Sequence, residues 1–135
     1  MQNKIFKFFF ILTILLSFKI NAELIFENDF PKNMQGIWSS DCDSEYQVFI
    51  ISRNTSMWID ESYVGFNISK TSEVSDWIAY KWGEIDSSYY YFLKNDGDKL
   101  FEISAPDSWD GIDYTFLNDS DYSIYEKCDS IPSMY

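Results

Sequence analysis

From Gly36 onward the chain is cut into short runs of β-branched and aromatic residues separated by turn residues. That punctuation leaves room for little except β-structure. The candidate strands are Gly36–Ser40, Tyr46–Arg53, Ser56–Asp60, Tyr63–Ser69, Trp77–Trp82, Tyr89–Lys94, Leu100–Ser104, Tyr114–Leu117 and Tyr122–Lys127. Side chains alternate inside them. Val64, Phe66 and Ile68 share one face, with Gly65, Asn67 and Ser69 on the other; Ile78, Tyr80 and Trp82 oppose Ala79 and Lys81. A period of two is the strand period, and few windows offer a helical stripe.

The connections are short. Asn95-Asp96-Gly97-Asp98 is a strong hairpin signal, because Asp-Gly tolerates the positive φ that tight turns need. Asn54-Thr55 and Asn118-Asp119-Ser120-Asp121 are two further tight connections. Turns of this length make neighbouring strands antiparallel. Ala105–Asp113 reads as a loop with room for one helical turn. Eight or nine such strands predict an all-β domain: an antiparallel up-and-down barrel of about eight strands, with a two-sheet β-sandwich as the alternative. The strand order reads as a meander with few long crossovers, which favours the barrel.

Residues 1–22 read as a signal peptide. Lys4 and Lys7 precede the apolar run Phe8–Phe18, and Ala22 offers a small residue for cleavage. The run stops at Lys19, short of the roughly 20 apolar residues of a spanning helix, so no membrane anchor is expected. Residues 23–135 are then a single β-barrel domain, opened by an entry segment that Pro31 breaks. The short Phe-rich signal suggests a bacterial protein exported to the periplasm or beyond.

Export agrees with the cysteines. Cys42 and Cys128 are the two present. In an oxidising compartment an even pair predicts a structural disulfide near both ends of the domain. Redox pairs are usually closely spaced, and a metal site would want further ligands. Charge narrows the partners. With the signal removed, seven basic against 22 acidic side chains give a net charge of −15. Such a surface repels nucleic acid and anionic lipid, stays soluble, and attracts cations.

Gly36-Ile37-Trp38, at the start of the first strand, resembles the Gly-x-Trp of lipocalins and related small barrels, in which the tryptophan closes one end. A cysteine near the first strand and another near the last resemble the bridge of some members. The basic partner stacked on that tryptophan in the family is here either absent or Lys127. The resemblance implies a lipocalin-like barrel. It carries no ligand with it.

After cleavage the chain holds 22 aromatic residues, densest at Tyr89-Tyr90-Tyr91-Phe92, where Tyr89 and Tyr91 oppose Tyr90 and Phe92. One such face can line a pocket for a flat or apolar ligand, or simply fill an eight-stranded barrel. The candidate lining is Trp38, Trp58, Phe66, Trp82, Tyr91 and Phe92. Enzymatic residues are not expected. There is no histidine to activate a serine or cysteine, and no Gly-rich phosphate loop. Asp107, Asp110 and Asp113 share a loop without the pattern of a calcium site, so neither metal nor cofactor is expected. Two functions remain. One is a barrel that binds a hydrophobic or aromatic small molecule. The other is an acidic exported protein that docks a cationic protein, in the manner of a lysozyme inhibitor.

Overall fold

The computed structural model describes residues 24–43, 47–60, 64–82, 89–119 and 121–132. The signal expected at 1–22 lies outside them. The described chain is all-β, with nine antiparallel strands curled into a half-barrel. They are β1 (Gly36–Ser39), β2 (Val48–Ile51), β3 (Thr55–Ile59), β4 (Val64–Ile68), β5 (Thr71–Val74), β6 (Trp77–Trp82), β7 (Tyr89–Asp96), β8 (Lys99–Ser104) and β9 (Ser123–Cys128). Their spatial order is β4-β3-β2-β1-β9-β8-β7-β6-β5. This is an up-and-down circuit in which each strand pairs with its sequence neighbours, and β1 pairs with β9. The exception is β4 and β5, which adjoin in sequence yet end the hydrogen-bonded order.

Two assignments change. Residues 115–118 form a 3₁₀ turn rather than part of a strand at Tyr114–Leu117. Asp113 Oδ1 accepts the Thr115 N–H at 2.9 Å, and Tyr114 O accepts the Leu117 N–H at 3.0 Å. Those local bonds take the backbone away from any ladder. Conversely, the polar stretch Thr71–Val74 becomes β5, because it pairs with β6 and Thr71 bridges Asn28. The Asp-Gly hairpin forms where expected: Asp96 faces Lys99 across Gly97-Asp98, with Gly97 at φ +65°.

The sheet buries side chains on both faces. Inside the curl lie Phe30, Met34, Trp38, Phe49, Ile51, Ile78, Tyr80, Leu93, Leu100 and Tyr125. Outside it, Trp77, Ala79, Phe92 and Ile103 are covered by the segment that follows β8, through Trp109, Tyr114 and Phe116. Phe92 meets Trp109 at 5.7 Å and Phe116 at 5.2 Å, edge to face. Such edge contacts are the favoured aromatic geometry.

The entry segment spans one end of the β4/β5 opening. The Asn28 and Thr71 backbones exchange two hydrogen bonds, and Phe30 N donates to Arg53 O at 2.8 Å. Asp29 pairs with both Lys70 and Arg53. Phe30 and Met34 thereby enter the core, where Trp38 Nε1 donates to Met34 O at 2.8 Å. Lys127 Nζ stands 5.4 Å from the Trp38 ring centroid, so the lysine option for a cation over this ring is realised. Cys42 and Cys128 form a disulfide with a Cα–Cα distance of 5.5 Å. It ties the segment after β1 to the end of β9, across the strand pair that no turn joins.

Candidate functional site

Phe30, Met34 and Trp38 fill one part of the curl, and a half-open cavity of about 360 Å³ remains in it. Its lining is Phe49 of β2, Trp58 of β3, Tyr80 and Trp82 of β6, Tyr91 of β7 and Glu102 of β8. Phe49 and Tyr80 are buried, whereas Trp58, Trp82 and Tyr91 are half-buried. The cavity therefore has an apolar floor and a rim of rings open to solvent. Its size sits at the lower end of small-molecule pockets, roughly 300–1,000 Å³.

β4 pairs with β3, whose Trp58 belongs to the cavity wall. Trp58 lies opposite Gly65, so both point to the concave face, and Gly65 contributes no side chain there. Asn67 shares that face, but its amide is committed to Lys81 O at 2.9 Å and Ser69 Oγ at 2.8 Å. Val64, Phe66 and Ile68 point outward instead, with exposures of 64%, 61% and 73%. The small and polar face of β4 is thus turned inward, next to the aromatic wall.

Among the described residues, Glu102 is the one ionisable carboxyl in the lining. Tyr80 OH donates to its Oε2 at 2.9 Å, and Tyr125 OH donates to its Oε1 at 3.2 Å. Neither lysine nor arginine pairs with it among the described residues. Burial pushes its pKa above the ordinary value, against the opposing pull of the two phenol hydrogen bonds. The phenols respond in kind. Tyr80 is raised well above its ordinary value, first by burial and then by the Glu102 charge, and Tyr125 and Tyr91 are raised for the same reasons. The rings around the carboxylate form a connected set: Tyr80 stacks on Tyr91 at 5.5 Å, and Phe49 meets Trp58 at 5.9 Å.

Three of the six residues expected from the sequence line this cavity: Trp58, Trp82 and Tyr91. Trp38 is fully buried in the adjoining core. Phe92 is buried on the opposite face of the sheet, and Phe66 is exposed on the outside of β4. Sequence reasoning missed Phe49, Tyr80 and Glu102 as lining residues. The signal for Glu102 was its phase, since Leu100 and Glu102 share a face. That signal is hidden because Phe101 and Ile103, on the other face, also pack against apolar neighbours.

A second cleft of about 380 Å³ lies between the outer face of the sheet and the 3₁₀ turn, with Asp76, Asp96 and Asp119 among its walls. Lys94 crosses it to Asp76 Oδ2 at 2.6 Å. In the aspartate loop, Asp110 Oδ1 accepts the N–H groups of Ile112 and Asp113, so this carboxylate holds its own loop. No family model, curated protein or solved structure matches the chain.

Proposed function

We propose that this is an exported, non-enzymatic small barrel that binds a small molecule with a flat or apolar body in the aromatic cavity. The observation that carries the reading is the 360 Å³ hollow walled by Phe49, Trp58, Tyr80, Trp82 and Tyr91. A barrel interior of this girth can be filled by side chains, and this one keeps an open cavity. The lysine over Trp38 and the first-to-last strand pairing support a lipocalin-like arrangement. The disulfide supports an oxidising compartment.

Native mass spectrometry of protein purified from its own host tests the reading, together with titration by the neutral dye N-phenyl-1-naphthylamine. A retained mass, or saturable dye fluorescence that Trp58→Ala weakens, is expected. Ligand-free protein that also fails to take up the dye would overturn it. A second reading is an acidic protein that docks a cationic protein. It draws on the net charge of −12 and on Asp76, Asp96 and Asp119 around the outer cleft. Binding of a basic protein that falls steeply with salt and is lost in Asp96→Asn would favour it.

A further inference from the structure

We infer that the aromatic cavity is selective for a small organic cation, a protonated amine carried on a flat or short apolar body. This deepens the binding reading above and rests on it. A pocket for a neutral apolar ligand gains nothing from an acid in its wall. A carboxylate drawn out of water is costly unless paired or hydrogen-bonded. Here the partners of Glu102 are two phenols, which leave its charge uncompensated. Each carboxylate oxygen has lone pairs for more than one donor, and each receives one phenol hydrogen bond in the described structure. An ammonium group can supply both the missing charge and the missing donors.

The remaining walls suit the same ligand. Trp58, Trp82, Tyr80, Tyr91 and Phe49 present aromatic rings, whose negative faces attract a cation once water is displaced. Among the described residues no lysine or arginine lines the cavity, so none of them competes for Glu102. The groups around the carboxyl are Tyr80 from β6, Tyr91 from β7 and Tyr125 from β9, all with ionisation pushed to higher pH. Among the described lining residues, Glu102 is then the group that titrates on the acid side. An anionic ligand would meet Glu102 with nothing to neutralise it. The charge of the whole chain points the same way, because it concentrates cations near the surface.

The test uses the intact, disulfide-bonded protein and three probes of one shape but different charge: 2-phenylethylamine, 2-phenylethanol and phenylacetate. Calorimetry at neutral pH is expected to rank the amine at least about tenfold above the alcohol, with phenylacetate undetected. Amine affinity should fall as the pH is lowered and Glu102 takes up a proton, while alcohol affinity holds. Glu102→Gln keeps the shape and should bring amine and alcohol to within about twofold of each other. Equal binding of amine and alcohol by the unmodified protein would overturn the cation preference yet leave a working apolar pocket. Absence of binding for all three at a Kd of about 1 mM or tighter, with no uptake of the neutral dye, would overturn both. The comparison of probes on the unmodified protein needs no variant, so a misfolded Glu102→Gln would not protect the inference.

Discussion

Burial and hydrogen bonding act in opposite directions on the Glu102 carboxyl, and burial wins. Its folded pKa stands above the unfolded one. The linked stability is therefore complete below the ordinary value near 4.5 and is lost as pH rises through the folded value. Glu102→Gln removes that loss and leaves a side chain that can still accept a phenol hydrogen bond. Its Tm should exceed that of the unmodified protein at neutral pH, and the two should converge near pH 4, as followed by circular dichroism. A lower Tm for the variant at neutral pH would show that the phenols, rather than burial, govern this acid. Stability given up at one residue in the unliganded protein accords with the binding site proposed above. This residue was not legible in the sequence, because a glutamate in phase with Leu100 looks like any strand carboxylate until the curl brings Tyr80 and Tyr125 to it. Trp58, Trp82 and Tyr91 were legible, since alternation alone assigns large rings to one face.

Strands and their turns carry a different lesson. Where the sequence offers runs rich in β-branched and aromatic residues, as in β6 and β7, the strands form close to where expected. Where local bonds compete, as with Asp113 ahead of Thr115, the same apolar composition makes a 3₁₀ turn. Face is harder to read than period. The run Val64-Gly65-Phe66-Asn67-Ile68 alternates clearly, yet its apolar side faces out, because Asn67 finds backbone and hydroxyl partners inside. That amide reaches from β4 to Lys81 of β6, past the short β5, and so spans the open side of the half-barrel. Asn67→Ala should cost about 1–2 kcal/mol in urea unfolding, because the Lys81 carbonyl loses its side-chain donor. The disulfide works at the other side of the circuit, where β1 meets β9. Closing its 86-residue separation constrains the unfolded chain by roughly 4–5 kcal/mol on the loop-entropy view. Cys42→Ser and Cys128→Ser should each lower stability by about 2–5 kcal/mol, and the double variant should cost little more than either. Trp38 pairs with Lys127 one residue from Cys128, so its fluorescence should shift on reduction. Free thiols in non-reducing peptide maps of the native protein would remove this staple.

For the molecule as a whole, charge repulsion outweighs charge pairing. Three ion pairs are formed among the described residues, Arg53–Asp29, Lys70–Asp29 and Lys94–Asp76, and all involve exposed side chains. Exposed pairs contribute little, typically under about 1 kcal/mol each. Against them stand 22 acidic and 10 basic side chains, a net −12 for the full chain. Net charge of this size opposes the compact state by self-repulsion, and added salt screens repulsion between exposed groups. Tm should therefore rise between low and moderate sodium chloride, where a protein held by its surface pairs would lose stability. Acid acts on the same balance in two steps. As the pH falls, Glu102, whose folded pKa is raised, takes up its proton before an ordinary glutamate would, so stability should increase first. Further acid reaches Asp29, Asp76 and Asp110, whose folded pKa values are depressed, chiefly by Lys70, Lys94 and backbone hydrogen bonds respectively. Their contribution is present above the ordinary aspartate value of 3.8 and is lost as pH falls through the folded values. Stability should thus peak between pH about 4 and about 5, below the usual optimum for small domains. Thermal melts across this range, at fixed ionic strength, read the peak directly. A maximum at pH about 7, together with a Tm that salt lowers, would show that local pairing and not repulsion controls this acidic half-barrel.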